Sequence, residues 1–351
     1  GIVFNGSPLF TGDAGSGESN IRRWIIEHDM LEAVIGLPDQ LFYNTGISTY
    51  VWIVTNRKRE ERRGRVQLIN GTDFARKMKK SLGDKRKQIG DGTEGAPNHI
   101  DVLTKLYGGF KHDVRMTVGE IQTNIDPKRD QTKSLFVSKI FLNQDFGYLK
   151  ITVERPLRLN FTVTGERIAR FKNTSAFLDL AVSLKRKDKQ KISQEEQAGT
   201  QEQQAIIQVL EGMKPAFASG KLVKDRAVFE KTLTKAFTAA GVDLDTKLKA
   251  ALLAPGSLGE RDPSAEICRD KKGQPEPDAE LRDTENVPFP EGIALPLPLD
   301  YEGKKNKGKV DADPLLVLVR VHCQAYLAAE VLPYRPDAWI DHSKIKVGYE
   351  I

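Results

Sequence analysis

Residues 1 to 57 switch between a two-residue and a 3.6-residue period, and that alternation limits the fold more than any other feature. Ile2 to Phe10 reads as a buried apolar strand, and Thr11 to Gly17 as a Gly-rich loop. Ser19 or Asn20 stands where a helix cap belongs, ahead of Ile21, Trp24, Ile25 and His28 at i, i+3, i+4 and i+7. Leu31 to Leu37 is a second strand and Pro38 to Ser48 a loop. Thr49 to Thr55 is a third strand, rich in β-branched and aromatic residues. Strand, helix, strand, loop, strand is the closing half of an open α/β sheet, because a complete doubly wound domain needs several more strands before it.

Residues 58–165 read as a mixed α/β extension. Arg65 to Asn70 is a short strand. Phe74, Met78 and Leu82, four apart between Thr72-Asp73 and Gly83, predict an amphipathic helix. Its polar side carries Arg76, Lys77, Lys79, Lys80, Lys85, Arg86 and Lys87, either a solvated face or a track for DNA phosphates. Ile100 to Phe110 predicts a short helix and Tyr148 to Val153 a strand, with Pro156 placing a bend or an edge. Residues 166–351 read as mainly helical. Helices are expected over Arg167 to Leu184, then near 202–213, 225–240 and 244–253, and a long loop over 255–312. A last helix opens at Asp313-Pro314 and closes at Pro333.

With 39% hydrophobic residues among 351, the chain has enough apolar side chains for a sizeable core. A formal net charge of +6 fits a nucleic-acid partner without establishing one. Two cysteines, Cys268 and Cys323, and five scattered histidines argue against a disulfide scaffold or a zinc site, and point to a reducing cytoplasm. Arg320, His322, Gln324 and Glu330 interrupt the apolar run Leu315 to Leu332, so no membrane span is expected there. Both ends read as structured rather than polar and frayed, so the chain is expected to be part of a longer protein.

Several short motifs have plain explanations. The loop Gly12 to Gly17 follows a strand and precedes a helix, but lacks the Gly-Lys-Ser/Thr ending of a P-loop. Asp145-Phe146-Gly147 spells a kinase tripeptide with no other kinase element around it. His28 and His322, on apolar stripes, are expected to be buried. The loop Leu37 to Thr49 is more informative, since it joins two strands at the edge where α/β enzymes keep their sites. Phe42 and Tyr43 precede Asn44, Thr45 and Gly46. Either ring is able to stack on a base drawn out of a duplex, or both pack into the core.

Longer strings carry a family resemblance. They are Ile2-Val3-Phe4 with Pro8-Leu9-Phe10, Ile21 to Glu27, Leu31 to Pro38 and Leu41 to Ile47. Further strings are Lys80 to Lys87, Asp145 to Tyr148, Val153 to Leu157, Asp283 to Pro288 and Pro336 to Asp341. Together they resemble the modification subunits of type I restriction-modification systems, which are adenine-N6 DNA methyltransferases.

That resemblance implies that residues 1–57 are the C-terminal remainder of a Rossmann-like class I methyltransferase sheet, in a parent protein that moves a methyl group from S-adenosyl-L-methionine to adenine N6. The family's Asn-Pro-Pro-Phe/Tyr motif and its glycine-containing donor motif lie ahead of the segment matching residues 1–10. Neither occurs in this chain, so it is expected to bind no cofactor and to be inactive alone. The segment Phe42, Tyr43, Asn44, Thr45 and Gly46 matches the loop whose aromatic holds the flipped adenine. Double-stranded DNA, a specificity subunit and a restriction subunit are the implied partners. The last helix, with Leu315, Leu318, Val319, His322, Tyr326 and Ala329 on one side, is either a docking face or intramolecular core. The half-sheet is expected to expose an apolar edge and to be of low stability.

Overall fold

The β-branched runs of the first 142 residues build a six-stranded mixed sheet. The computed structural model describes residues 1–93, 97–122, 130–183, 189–297 and 313–351. These fall into two units: Gly1–Val153 with Thr284–Tyr334 and Ile340–Ile351, and Glu154–Asp283 with Arg335–Trp339. Lys185 to Asp188 and residues 298–312, parts of the charged stretch and of the expected long loop, lie outside the described residues.

In the first unit the elements run β1 (Ile2–Asn5), α1 (Ser7–Phe10), α2 (Gly17–Glu27), β2 (Leu31–Gly36), β3 (Thr49–Val54) and β4 (Arg65–Asn70). They continue with β5 (Arg76–Leu82), β6 (Lys85–Gln88), α3 (His99–Gly109), β7 (Val114–Thr117), α4 (Val118–Ile121) and β8 (Ser134–Leu142). The sheet order is β1-β3-β2-β4-β8-β7. β2 and β4 are parallel, and the other neighbours are antiparallel. On one face Ile69, Phe74, Leu103, Ile121 and Val137 form the core. Gln67 is buried there because its amide has two acceptors, the Leu106 carbonyl at 2.8 Å and Ser138 Oγ at 2.9 Å.

Several sequence expectations are corrected here. The first strand stops at Asn5 and its residues are exposed rather than buried. Asn5 Oδ1 accepts from Ser7 N–H at 3.1 Å and Pro8 sits in the first turn of α1, so the chain coils instead of extending to Phe10. Ser16 caps α2, and its buried side is Ser19, Arg22, Arg23 and Ile26, with Ile21 and Trp24 exposed. Burial of arginine is tolerated because each is partnered. Arg22 donates to the carbonyls of Tyr349 (2.6 Å), Thr11 (2.7 Å) and Pro8 (3.1 Å), and Arg23 pairs with Glu27 at 2.9 Å. His28 is exposed at the helix end, its Nδ1 2.8 Å from the Trp24 carbonyl.

The basic amphipathic helix expected over residues 76–87 is instead the hairpin β5–β6. Gly83, read as a helix stop, has φ +61° and begins the two-residue turn between Leu82 and Lys85. Only Phe74 joins the core, so the four-residue spacing had no helix to serve.

Beyond the sheet come β9 (Gly147–Glu154), β10 (Leu159–Phe161), α5 (Gly165–Lys172), α6 (Ser175–Leu178), α7 (Lys189–Met213), α8 (Arg226–Ala239) and α9 (Thr246–Leu253). β11 (Gly259–Arg261), β12 (Asp283–Pro288), α10 (Pro314–Tyr326), β13 (Trp339–Ile340) and β14 (Lys346–Tyr349) follow. In the second unit the helices gather round Phe161, Phe171, Leu210, Phe229 and Phe237. Phe161 and Phe229 stack at 4.9 Å. In the first unit β9 pairs antiparallel with β14. The expected loop 255–312 carries β11 and β12 and is pinned by Arg226–Glu276 at 2.6 Å and Arg261–Asp278 at 2.8 Å.

Asp313 caps α10 as expected, but the buried stripe is Leu316, Val319, Cys323 and Leu327. Of the residues expected to share a face, Val319 is buried, Leu318 exposed, and His322 half-buried with Nε2 2.8 Å from the Pro288 carbonyl. Pro314–Val331 is long and apolar enough to cross a membrane by length and composition. Within the first unit only Leu316, Val319, Cys323 and Leu327 of that stretch are buried, 22% of it.

Two predictions follow from the packing. Phe229→Ala should cost about 3–5 kcal/mol in a denaturant titration, since it empties the centre of a filled aromatic core. Asp29 accepts from Lys58 Nζ (2.6 Å), Asn143 Nδ2 (2.9 Å) and Gly64 N–H (3.0 Å). Burial raises its pKa, but these donors outweigh that and hold the carboxyl below its ordinary value. A depressed carboxyl contributes stability above its unfolded pKa of about 3.9 and loses it as pH falls through the folded value. Wild type should therefore melt at lower temperature at pH 3 than at pH 5, and Asp29→Asn should flatten part of that difference.

Candidate nucleic-acid interface

β2 and β4 run parallel, so their C-terminal ends, Gly36 and Asn70, lie side by side. Gly71 N–H donates to the Gly36 carbonyl at 2.8 Å, and a Cβ on Gly71 would stand 2.6 Å from that oxygen. The two segments leaving this edge are the loop after β2 and the stretch that leads into the β5–β6 hairpin. Here sheets of this class hold ligands.

The loop is closed at its base by Leu37 N–H donating to the Thr49 carbonyl at 2.8 Å. At its tip Phe42 and Thr45 form an isolated bridge, and Thr45 Oγ1 accepts from Ile47 N–H at 3.4 Å. Phe42 is 39% exposed and Tyr43 62%, so neither ring is core packing. Asn44 and Gly46 are exposed, and Thr45 half-buried.

The hairpin lies against this loop. Arg86 and Lys87 donate their N–H groups to the Gln40 carbonyl at 3.0 and 3.1 Å, and Asp84 N–H donates to the Tyr43 carbonyl at 3.1 Å. The Lys85 ammonium stands 4.9 Å from the centroid of the Tyr43 ring. Lys87 forms an ion pair with Asp39. Lys77, Lys79, Lys80 and Arg86 are exposed, whereas Lys85 and Lys87 are half-buried. Lys77 and Lys87 face each other directly across the strands. Like charges opposite one another destabilise a hairpin, and the Asp39 carboxylate beside Lys87 offsets that repulsion.

Reading the basic run as a helix hid this juxtaposition. The signal was present: two short basic strands flank Gly83-Asp84, a dipeptide suited to a tight hairpin. Two half-supported elements, an irregular loop and a lone hairpin, thus brace each other.

A cavity of about 460 Å³ opens on the sheet beside the same edge, lined by Val34, Tyr50, Leu68, Asn70, Thr72 and Phe136 among others. The Gly-rich loop before α2 forms no cradle: a Cβ on Gly12 would lie 2.4 Å from Ser16 Oγ and 2.9 Å from a Glu18 oxygen. A phosphate or a donor's carboxylate would meet the Glu18 carboxylate there, so the residues present do not fit S-adenosyl-L-methionine at this loop. Asp145, of the kinase-like tripeptide, caps Leu142 N–H at 2.7 Å, and Phe146 is buried. Among the described residues no cluster of His, Cys, Asp or Glu side chains is placed to hold a metal ion.

Comparison with known proteins agrees with the strings noted in the sequence. Residues 1–96 match the family model described as N-6 DNA Methylase. The type I restriction enzyme MjaVII methylase subunit of Methanocaldococcus jannaschii is 42% identical over 72 residues, 20% of this chain and 12% of that protein. The MjaVIII methylase subunit of the same organism is 30% identical over 146 residues, 41% of this chain and 23% of that one. The matched segments thus span less than a quarter of these relatives. A type I restriction-modification methyltransferase subunit from Streptococcus thermophilus overlays with a TM-score of 0.28 at 22% identity, over 41% of this chain and 23% of that one, too loosely to carry an argument. The chain is a relative of the methylase subunits of type I restriction enzymes, and its first 96 residues carry the N-6 DNA methylase family match.

Proposed function

We propose that this chain is part of the modification subunit of a cytoplasmic type I restriction-modification system, and that its share of the work is to face double-stranded DNA. In that reading the whole assembly transfers a methyl group from S-adenosyl-L-methionine to adenine N6, a specificity subunit selects the sequence, and a restriction subunit joins them. Residues 1–57 belong to the methyltransferase domain as the closing part of its Rossmann-like sheet. Residues 58–165 form its extension, and 166–351 the helical region.

The observation that carries the reading is the fastening of the basic hairpin to the loop of Phe42 and Tyr43. Exposed Lys77, Lys79, Lys80 and Arg86 offer cations to a phosphate backbone, with Lys85 and Lys87 behind them engaged by Tyr43 and Asp39, and the aromatics beside them offer a surface to a base. Phosphate contacts position a protein on DNA, and the adjacent ring is where an extruded base would be received. No step of methyl transfer is assigned to these residues. The 351 residues contain no Asn-Pro-Pro, so the isolated chain given S-adenosyl-L-methionine and duplex DNA is expected to transfer no methyl group.

A non-catalytic docking role is a second reading, and one observation favours it. Val317, Leu318 and Val321 leave an apolar strip of α10 exposed.

Binding should show steep salt dependence and little sequence preference, because log K falls by about 0.9 per phosphate contact for each unit of log salt. Replacing Lys77, Lys79 and Lys80 together with Gln should reduce that slope by up to about three and leave the melting temperature near wild type. Failure of the chain to bind a DNA duplex at low salt would remove the reading. The first 24 residues expose Ile2, Val3, Phe4, Phe10, Ile21 and Trp24, so the chain should bind a hydrophobic dye. The double variant Ile21→Gln, Trp24→Gln should bind less of it without a lower melting temperature. A drop in melting temperature would show that these side chains pack after all.

A further inference from the structure

We propose that the cavity of about 460 Å³ on the six-stranded sheet is a ligand site in its own right, and that it takes a small organic anion with an apolar body. The inference goes beyond the DNA-facing reading and does not depend on it.

Strand register builds the floor of the cavity. Val34 on β2 stands beside Leu68 on β4, and Leu68 stands opposite Lys139 on β8, so one row across three strands carries two aliphatic side chains and an ammonium. Leu68 adjoins Ile69, a member of the core, and alternation turns this row to the other face of the sheet. β8 extends that face through an irregularity. Ser138 is partnered by Val114 and Phe136 by Arg115, which leaves Val137 as an extra residue between them. Val137 packs in the core and Ser138 Oγ accepts from Gln67 there, so Phe136 and Lys139, three apart, come to share the outer face. The Lys139 ammonium stands 4.0 Å from the centroid of the Phe136 ring. Tyr50, opposite Gly36 on the neighbouring strand, closes a further wall.

The lining selects the chemistry of the ligand. Leu9, Val34, Leu68, Phe136 and Phe141 offer apolar walls, and the volume falls in the range of about 300–1,000 Å³ that suits a small molecule. The polar groups at this face are donors. Among the described residues Lys139 has no carboxylate partner, and the Tyr50 hydroxyl makes no hydrogen bond. Arg115, also without a carboxylate, places its guanidinium 3.6 Å from the same Phe136 centroid. Other cations in this unit are paired, as Lys58 is with Asp29 and Arg62 with Glu32. Two unpaired cations held on one ring repel each other, and the ring's quadrupole answers only part of their charge. An anionic head between them supplies the missing partner, with the Tyr50 hydroxyl as a further donor, while an apolar body covers Leu68 and Phe141.

The test is equilibrium dialysis of the 351-residue chain against 2-naphthoate and against its neutral isostere, 2-naphthamide. Wild type is expected to bind naphthoate at one saturable site, about tenfold more tightly than the amide. Lys139→Met should remove that preference by weakening naphthoate alone, and Arg115→Met should reduce it. Lys105→Met, whose lysine pairs with Asp101 on α3, should change neither affinity. Leu68→Trp fills the floor and should lose both ligands. Thermal melts show which variants fold, and the Lys139 and Arg115 variants, half-buried and exposed, keep the test open should Leu68→Trp fail to.

No saturable binding of naphthoate by wild type would overturn the proposal. Equal affinity for naphthoate and the amide, or a preference that survives in Lys139→Met, would overturn the assignment of an anion. A folded Leu68→Trp that binds as wild type does would place the ligand elsewhere. Stoichiometric displacement of naphthoate by a short DNA duplex would assign the cavity to the DNA face and overturn it as a separate site, while the DNA-facing reading stands. Failure to bind DNA beside intact naphthoate binding would sink that reading and leave this one.

Discussion

β2 is paired on both sides, antiparallel to β3 and parallel to β4, and the first unit is organised by that double pairing. The parallel partner matters most. Two parallel strands finish at the same edge, so the segments that leave Gly36 and Asn70 start as neighbours. The hydrogen bond from Gly71 to the Gly36 carbonyl fixes their spacing. The aromatic loop and the basic hairpin meet because of this, although more than thirty residues separate their centres in sequence. An antiparallel β4 would have sent the hairpin from the opposite end of the sheet.

Charge is handled in two ways within this unit. Inside the unit, buried Arg22 donates to the carbonyls of Tyr349, Thr11 and Pro8, half-buried Asp29 accepts from three donors, and buried Gln67 lies between Leu106 and Ser138. Such groups specify packing, since a shift of any element would strand a buried donor or acceptor. On the hairpin the cations are gathered at the surface, several are exposed, and Lys77 faces Lys87. Charge inside this unit is held by specific partners, whereas charge on the hairpin is concentrated at the surface, and the proposed DNA-facing role draws on that contrast.

The family match ends at residue 96, soon after β6, so the loop and the hairpin both lie within it. The second unit lies wholly beyond that match. It is an aromatic core wrapped by helices and held by Arg–carboxylate pairs.

What the sequence determined by itself were features resting on local order. β2, β3, β4, α3, α8, α9 and the Asp313 cap of α10 were legible because period, capping residues and β-branched runs agreed at each place. The loop of Phe42 and Tyr43 was legible for the same reason, as a break between two clear strands. Tertiary structure decided the rest. Arg22 became part of the buried side of α2 because carbonyls outside the helix, those of Tyr349 and Thr11, partner it, which no helical periodicity can encode, whereas Arg23 is partnered within the helix by Glu27 at i+4. Arg76 to Gln88 became a hairpin rather than a helix because Gln40 and Tyr43 offer carbonyls to its backbone. Apolar spacing records which side of an element prefers to leave water. It does not record which remote donor or acceptor will be waiting, and at the candidate site those remote partners set the geometry.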